Sequence, residues 1–192
     1  MILYLHGLNS GGTAGKATTL REALAPVPVL SPTYPAHRPM QAVYDLQRLI
    51  SEIEQEHPRL MIVGSSLGGF YGQYLARRFG GIFRLVMINP ALRPWELLRG
   101  REGEQRNFVT GETYLLTRED IEQTRRFEIK DVNDGVPTTL FLDKGDETID
   151  YRIAAEMYRD AGELFIFEGG DHRFRHMDEA IAIIRRRYEE AA

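Results

Sequence analysis

The chain has no cysteine among its 192 residues. That excludes disulfides, thiolate metal sites and a cysteine nucleophile. It has no apolar run near the roughly 20 residues that a membrane-spanning helix needs. Neither sign of charge prevails: Lys and Arg number 24 against 28 Asp and Glu, a net charge of -4. Such a balance gives no reason to expect nucleic acid or an anionic membrane as partner. The chain opens on the apolar run Ile2 to Leu5 without a basic, signal-like segment, so a cytoplasmic protein is expected. Serine is scarce and tryptophan occurs once, whereas 43% apolar and 27% charged residues are ordinary for a globular protein. The length fits one domain, 1–192, large enough to bury a central sheet.

What is present centres on Arg59 to Phe79, RLMIVGSSLGGFYGQYLARRF. Leu60 to Val63 is an apolar run of strand length, and the residues after Gly69 carry apolar positions at helical spacing. Between them stands Gly64-Ser65-Ser66-Leu67-Gly68, the G-x-S-x-G pattern of a nucleophile elbow, where a serine sits on a strained strand-to-helix turn. The composition would produce this pattern by chance in only about 0.04 of such chains. A turn that sharp brings the residues two before and two after the serine too close for side chains, which is why both are glycine.

The rest of the chain alternates strands and helices. Strands are expected at Ile2–Leu5, Val27–Leu30, Arg84–Ile88, Thr138–Leu142 and Leu164–Phe167, with helices at Ala14–Leu24, Met40–Glu56, Tyr151–Arg159 and Met177–Tyr188. Residues 91–130 are more charged, with short helical patterns and a possible capping box from Thr117 to Asp120. They read as a small cap or lid excursion. The alternation predicts an α/β fold with a parallel, doubly wound sheet, whose ligands bind beyond the carboxyl ends of the strands. The loops carrying His6 to Asn9, Gly64 to Gly68, Asp143 to Asp146 and Gly169 to His172 are therefore expected to converge.

A serine hydroxyl needs a neighbouring base, and the base needs an acid to orient it. His172, on a glycine-rich loop after the sixth strand, is the candidate base in preference to His6, His37, His57 and His176. Asp146 is the candidate acid: Asp143 lies too close to its strand end, Asp150 suits a helix N-cap, and Glu147 reads as a flanking surface residue. The oxyanion donors are expected to be the backbone N–H of Leu67, at the start of the elbow helix, and that of Leu8, after the unencumbered Gly7. Ser10 to Ala17 approaches a phosphate-binding P-loop, but Ser10 replaces its first glycine and Ala17 its Mg²⁺-binding hydroxyl. His172 and His176 have the spacing of a helical zinc pair, yet Arg173 stands where the glutamate belongs. No metal and no cofactor are expected.

Taken together, Leu3 to Gly7, Ile62 to Gly69, Asn89-Pro90-Ala91, Arg93-Pro94 with Glu96 to Leu98, Thr110-Gly111, Gly145-Asp146-Glu147 with Asp150 to Arg152, and Gly169-Gly170 with His172 resemble the YqiA-like family of small bacterial esterases over nearly the whole chain. The resemblance implies a minimal α/β-hydrolase fold with about six strands, mostly or wholly parallel, and a triad of Ser66, Asp146 and His172. It also implies a serine esterase acting on a small-molecule acyl ester or thioester. Acyl-CoA thioester hydrolysis is the alternative activity, with Arg93, Arg99, Arg101 and Arg106 available to a phosphorylated leaving group. A catalytically silent binding protein is the alternative class.

Overall fold

Six short apolar runs become the strands of one parallel sheet in the computed structural model, which describes residues 1–133 and 135–191. They are β1 (Ile2–Leu5), β2 (Val29–Leu30), β3 (Leu60–Ser65), β4 (Ile82–Ile88), β7 (Thr138–Asp143) and β8 (Glu163–Phe167). Their spatial order is β2-β1-β3-β4-β7-β8. The two remaining strands, β5 (Gly103–Arg106) and β6 (Thr113–Leu116), form a separate antiparallel hairpin. Leu5 pairs with Gly64, Ser65 with Ile88, Ile88 with Phe141 and Asp143 with Phe167, so the carboxyl ends of these strands finish level. The loops that follow them share one edge of the sheet. This is an α/β-hydrolase fold, as the resemblance implies.

The helices are α1 (Gly15–Ala23), α2 (Pro39–Glu56), α3 (Leu67–Leu75), α4 (Pro94–Leu97), α5 (Arg118–Gln123), α6 (Tyr151–Met157) and α7 (Met177–Glu189), with a 3-10 turn at Thr124–Phe127. Alternate side chains of each strand leave on opposite faces. Leu3, Leu5, Ile62, Leu85, Met87, Leu140 and Leu142 join one core with α2 and α3, and Ile2, Tyr4, Met61, Val63, Val86, Ile88 and Phe141 join another with α1 and α7. The three- and four-residue steps of α2 bury Val43, Leu46, Ile50 and Ile53. In α3 every residue but Tyr74 is buried, which places the elbow helix at the centre of the packing. Among the described residues no helix is long and apolar enough to cross a membrane.

The excursion at 91–130 holds a hairpin beside the expected short helical patterns. Thr117 and Asp120 do form a capping box at the start of α5, but residues 103–116 are the β5–β6 hairpin. Tyr114 and Leu116 alternate inward along β6 while Thr113 and Leu115 face out. That period of two was hidden in so short a strand by the charged residues around it.

Candidate active site

Steric exclusion sets the elbow. A Cβ on Gly64 would lie 2.4 Å from the Gly68 carbonyl oxygen, and one on Gly68 would lie 2.1 Å from that of Leu5. Only glycine at both positions lets β3 turn directly into α3. Ser66 at the apex has φ 54° and ψ -122°, a strained backbone for an L residue that persists only where its surroundings over-determine it. They do: the Ser66 N–H donates to the Ile88 carbonyl at 3.0 Å, and its own carbonyl accepts from the Gly69 and Ala91 N–H groups, each at 3.0 Å. Ser66 also caps α3 without using its side chain, leaving the hydroxyl at the positive end of a helix. The neighbouring Ser65 is buried and faces the hydroxyl of Tyr4.

The loop after β1 passes so close that a Cβ on Gly7 would lie 3.0 Å from Ser66 Cβ. His6 fixes its start. Its Nε2 accepts from the Tyr34 N–H at 3.3 Å, which requires Nδ1 to carry the proton donated to the Gly7 carbonyl at 2.8 Å. The ring stacks on Tyr34 with centroids 4.2 Å apart, and burial pushes its pKa below the ordinary value. With both ring nitrogens engaged in this way, His6 is a structural residue. Leu8 follows, and among the described residues no hydrogen bond takes up its backbone N–H or that of Leu67. Beyond it the β5–β6 hairpin grips the loop. Tyr114 donates its hydroxyl to Asn9 Oδ1 at 2.5 Å, the Phe108 N–H donates to the Asn9 carbonyl at 3.1 Å, and Asn107 Nδ2 donates to the Ser10 carbonyl at 2.8 Å. Asn9 itself adopts φ 57°.

At the far side of the sheet edge, Asp146 Oδ2 lies 2.9 Å from His172 Nδ1. Its Oδ1 accepts from the N–H groups of Thr148 and Ile149, both at 2.8 Å. The Asp146 side chain is 2% exposed and that of His172 is 26% exposed, so a buried carboxylate holds an accessible imidazole. Among the described residues there is no hydrogen bond between Ser66 Oγ and His172. Asp150 caps α6 by accepting from the Arg152 N–H at 3.0 Å.

The exposed Glu147 adds a contact that the spacing does not show: its Oε2 accepts the His172 N–H at 3.0 Å. Asp143, set aside for its position at the strand end, does reach an imidazole, but that of His176: Nδ1 to Oδ1 is 2.6 Å. Nothing in the spacing shows that two consecutive Asp–His pairs form. The pattern D-x-x-D followed by H-x-x-x-H is the only trace of it. Asn89, just beyond β4, accepts the Asp143 N–H at 2.9 Å and donates to the Asp171 carbonyl at 3.1 Å. Lys16, from the near-miss P-loop, lies in the field of Asp171 and Asp146, which oppose the downward pKa shift caused by its burial.

Beside the elbow and the acid loop lies a cavity of about 210 Å³, walled by the apolar Ala91, Leu92, Leu97, Ile149 and Ile153 together with Arg93, Glu96 and Asp150. Ala91 is hydrogen-bonded to Ser66 and Ile149 to Asp146, so both walls are tied to the site. It shares Leu92, Arg93, Asp150 and Ile153 with a more polar cavity of about 580 Å³. Arg93 pairs with Glu96 at 3.7 Å, both of them well exposed.

Comparison with known proteins gives a consistent picture. The profile of the uncharacterised protein family UPF0227 matches residues 1–186. A UPF0227 protein of Serratia proteamaculans is 24% identical over 190 residues, covering 96% of this chain and 97% of its own. Among solved structures, Est1E from Butyrivibrio proteoclasticus superposes with a TM-score of 0.78 at 15% identity, over 98% of this chain and 86% of its own. A monoacylglycerol lipase from Paleococcus ferrophilus gives 0.72 at 16% identity, over 96% and 92%.

Proposed function

This chain belongs to the UPF0227 (YqiA) family, and from that premise and the site's geometry we propose that it is a serine esterase. It hydrolyses carboxylic ester or thioester bonds of small to medium acyl groups through an acyl-enzyme. One observation carries the reading: a strained serine at a helix N-terminus shares its sheet edge with a histidine whose Nδ1 is held 2.9 Å from a buried carboxylate. The fold neighbour named as a monoacylglycerol lipase supports it.

In this mechanism Ser66 Oγ attacks the carbonyl carbon while His172 Nε2 takes its proton. The negative charge that develops on the carbonyl oxygen is met by the N–H groups of Leu8 and Leu67, which no acceptor among the described residues occupies. Asp146 receives the Nδ1–H of His172 and stabilises the imidazolium. Collapse of the tetrahedral intermediate expels the alcohol or thiol, which leaves with the proton from Nε2. Water then repeats the sequence on the acyl-enzyme and returns the free acid.

The 210 Å³ cavity supplies the place for the apolar part of the substrate. At about 30 Å³ for a water-sized group it holds roughly seven methylene-sized groups, and each methylene buried there is worth about 0.8 kcal/mol, or fourfold in kcat/KM. A series of p-nitrophenyl esters tests this: turnover rises with acyl length, turns over near about seven carbons, and is absent in Ser66→Ala. Turnover retained in both Ser66→Ala and His172→Ala would remove the mechanism.

A further inference from the structure

The pair of buried Asp143 and half-buried His176 has no part in the chemistry just described, yet it carries the segment on which His172 stands. Asp143 is wholly buried at the end of β7. One carboxylate oxygen takes His176 Nδ1 at 2.6 Å, and the other takes the N–H groups of Arg175 at 2.9 Å and Asp171 at 3.3 Å. The residues on both sides of His172 are therefore anchored to a single carboxylate. A Cβ on Gly170, which has φ 76°, would lie 2.0 Å from Asp143 Oδ2, so the chain comes down onto that carboxylate as closely as glycine allows.

Between those anchors Phe174 is held at φ 64°, a strained backbone for a bulky residue. Its ring is 3% exposed and packs against Phe141 and Phe167. The His176 ring stacks on Phe167 with centroids 4.4 Å apart and planes within 9°. The segment is thus a strained arch with His172 on it. One foot is tied to Asp143 through Asp171, and the other through Arg175 and His176. Asp143 is fixed in turn by Asn89, which also holds the Asp171 carbonyl.

We propose that His176 is a positioning residue, and that the Asp143–His176 pair sets where the His172 imidazole lies relative to Ser66. The pair touches no reacting atom. It acts through the arch: releasing the His176 foot lets Phe174 relax its strained backbone, and His172, two residues before it, moves with that relaxation. Misplacing a catalytic group by about 1 Å costs on the order of 100-fold in rate, so a partial release is expected to lower kcat by about tenfold or more while leaving substrate binding intact. The inference rests on the esterase reading for its kinetic consequence, but its geometric content stands apart from that reading.

The test compares His176→Phe, which keeps the stack on Phe167 and removes the donor, with His176→Asn, whose amide nitrogen takes the place of Nδ1. His176→Phe is expected to lose at least tenfold in kcat on a p-nitrophenyl ester with KM within twofold, and His176→Asn to recover to within threefold of wild type. The low-field proton NMR signal of the His172 Nδ1–H, assigned by its loss in His172→Ala, is read in the same variants. It is expected to broaden or shift in His176→Phe and to return in His176→Asn. A lowered melting temperature with kcat and the His172 signal unchanged would overturn the inference by reducing the pair to a stability element. If the wild type turns over no ester, the esterase reading fails, and the NMR comparison still decides whether His176 governs His172.

Discussion

Replacing Tyr114 by phenylalanine removes one oxygen atom and tests whether the hairpin holds the oxyanion loop. The hydroxyl donates to Asn9 Oδ1 at 2.5 Å, one residue beyond the Leu8 N–H. The ring is buried and stacks on His37 with centroids 3.7 Å apart, a contact that phenylalanine preserves. Losing a neutral hydrogen bond of this kind costs about 1 kcal/mol, which lowers the melting temperature by about 2–4 °C in a chain of this length. The effect on rate follows from what remains. Complete loss of an oxyanion donor costs about 100- to 1000-fold, but the Phe108 N–H and Asn107 Nδ2 still bind the loop. The expected loss in kcat is therefore about three- to tenfold, with KM within twofold. Steady-state kinetics on a short-chain ester, paired with thermal unfolding, measures both. A lowered melting temperature with unaltered kcat would refute the link between hairpin and oxyanion hole.

Two further outcomes follow from the packing and charge. Gly64→Ala forces a Cβ to 2.4 Å from a backbone oxygen and is expected to yield little folded protein, whereas Gly15→Ala, with open space at the start of α1, is expected to be neutral or to stabilise by about 0.4–1 kcal/mol in urea unfolding. Burial lowers the pKa of both His6 and His37, so below their ordinary value of 6.5 the unfolded chain binds more protons than the folded one. Their contribution to stability is therefore complete above that value and is lost as pH falls below it. Urea midpoints compared between pH 7.5 and 5.5 should fall in the wild type and fall less in His6→Asn; an equal fall would remove His6 as a cause.

The sheet was legible because each strand is a short apolar run closed by turn formers, and because helices intervene at their own period. The elbow was legible for a harder reason: a turn that tight admits only glycine at Gly64 and Gly68, so the constraint is written in residue type. The hairpin was not, since β5 buries little and its alternation competes with four charged side chains between Arg101 and Arg106. Glu147, Asn89, Asp143 and His176 escaped for a different physical reason. Their contacts run between loops more than 20 residues apart in sequence, and a carboxylate three residues from another carboxylate gives no local sign of which imidazole it will meet. Asp150 could be read because an N-cap is a local event, complete within two residues of chain.

Everything proposed above turns on Ser66 acting as a nucleophile activated by His172. Reaction with a serine-directed fluorophosphonate, followed by intact mass and peptide mapping, tests it without knowledge of the substrate. One adduct per chain is expected, located on Ser66, abolished in Ser66→Ala and strongly slowed in His172→Ala. An unmodified wild-type chain, or an adduct at any other residue, would contradict it.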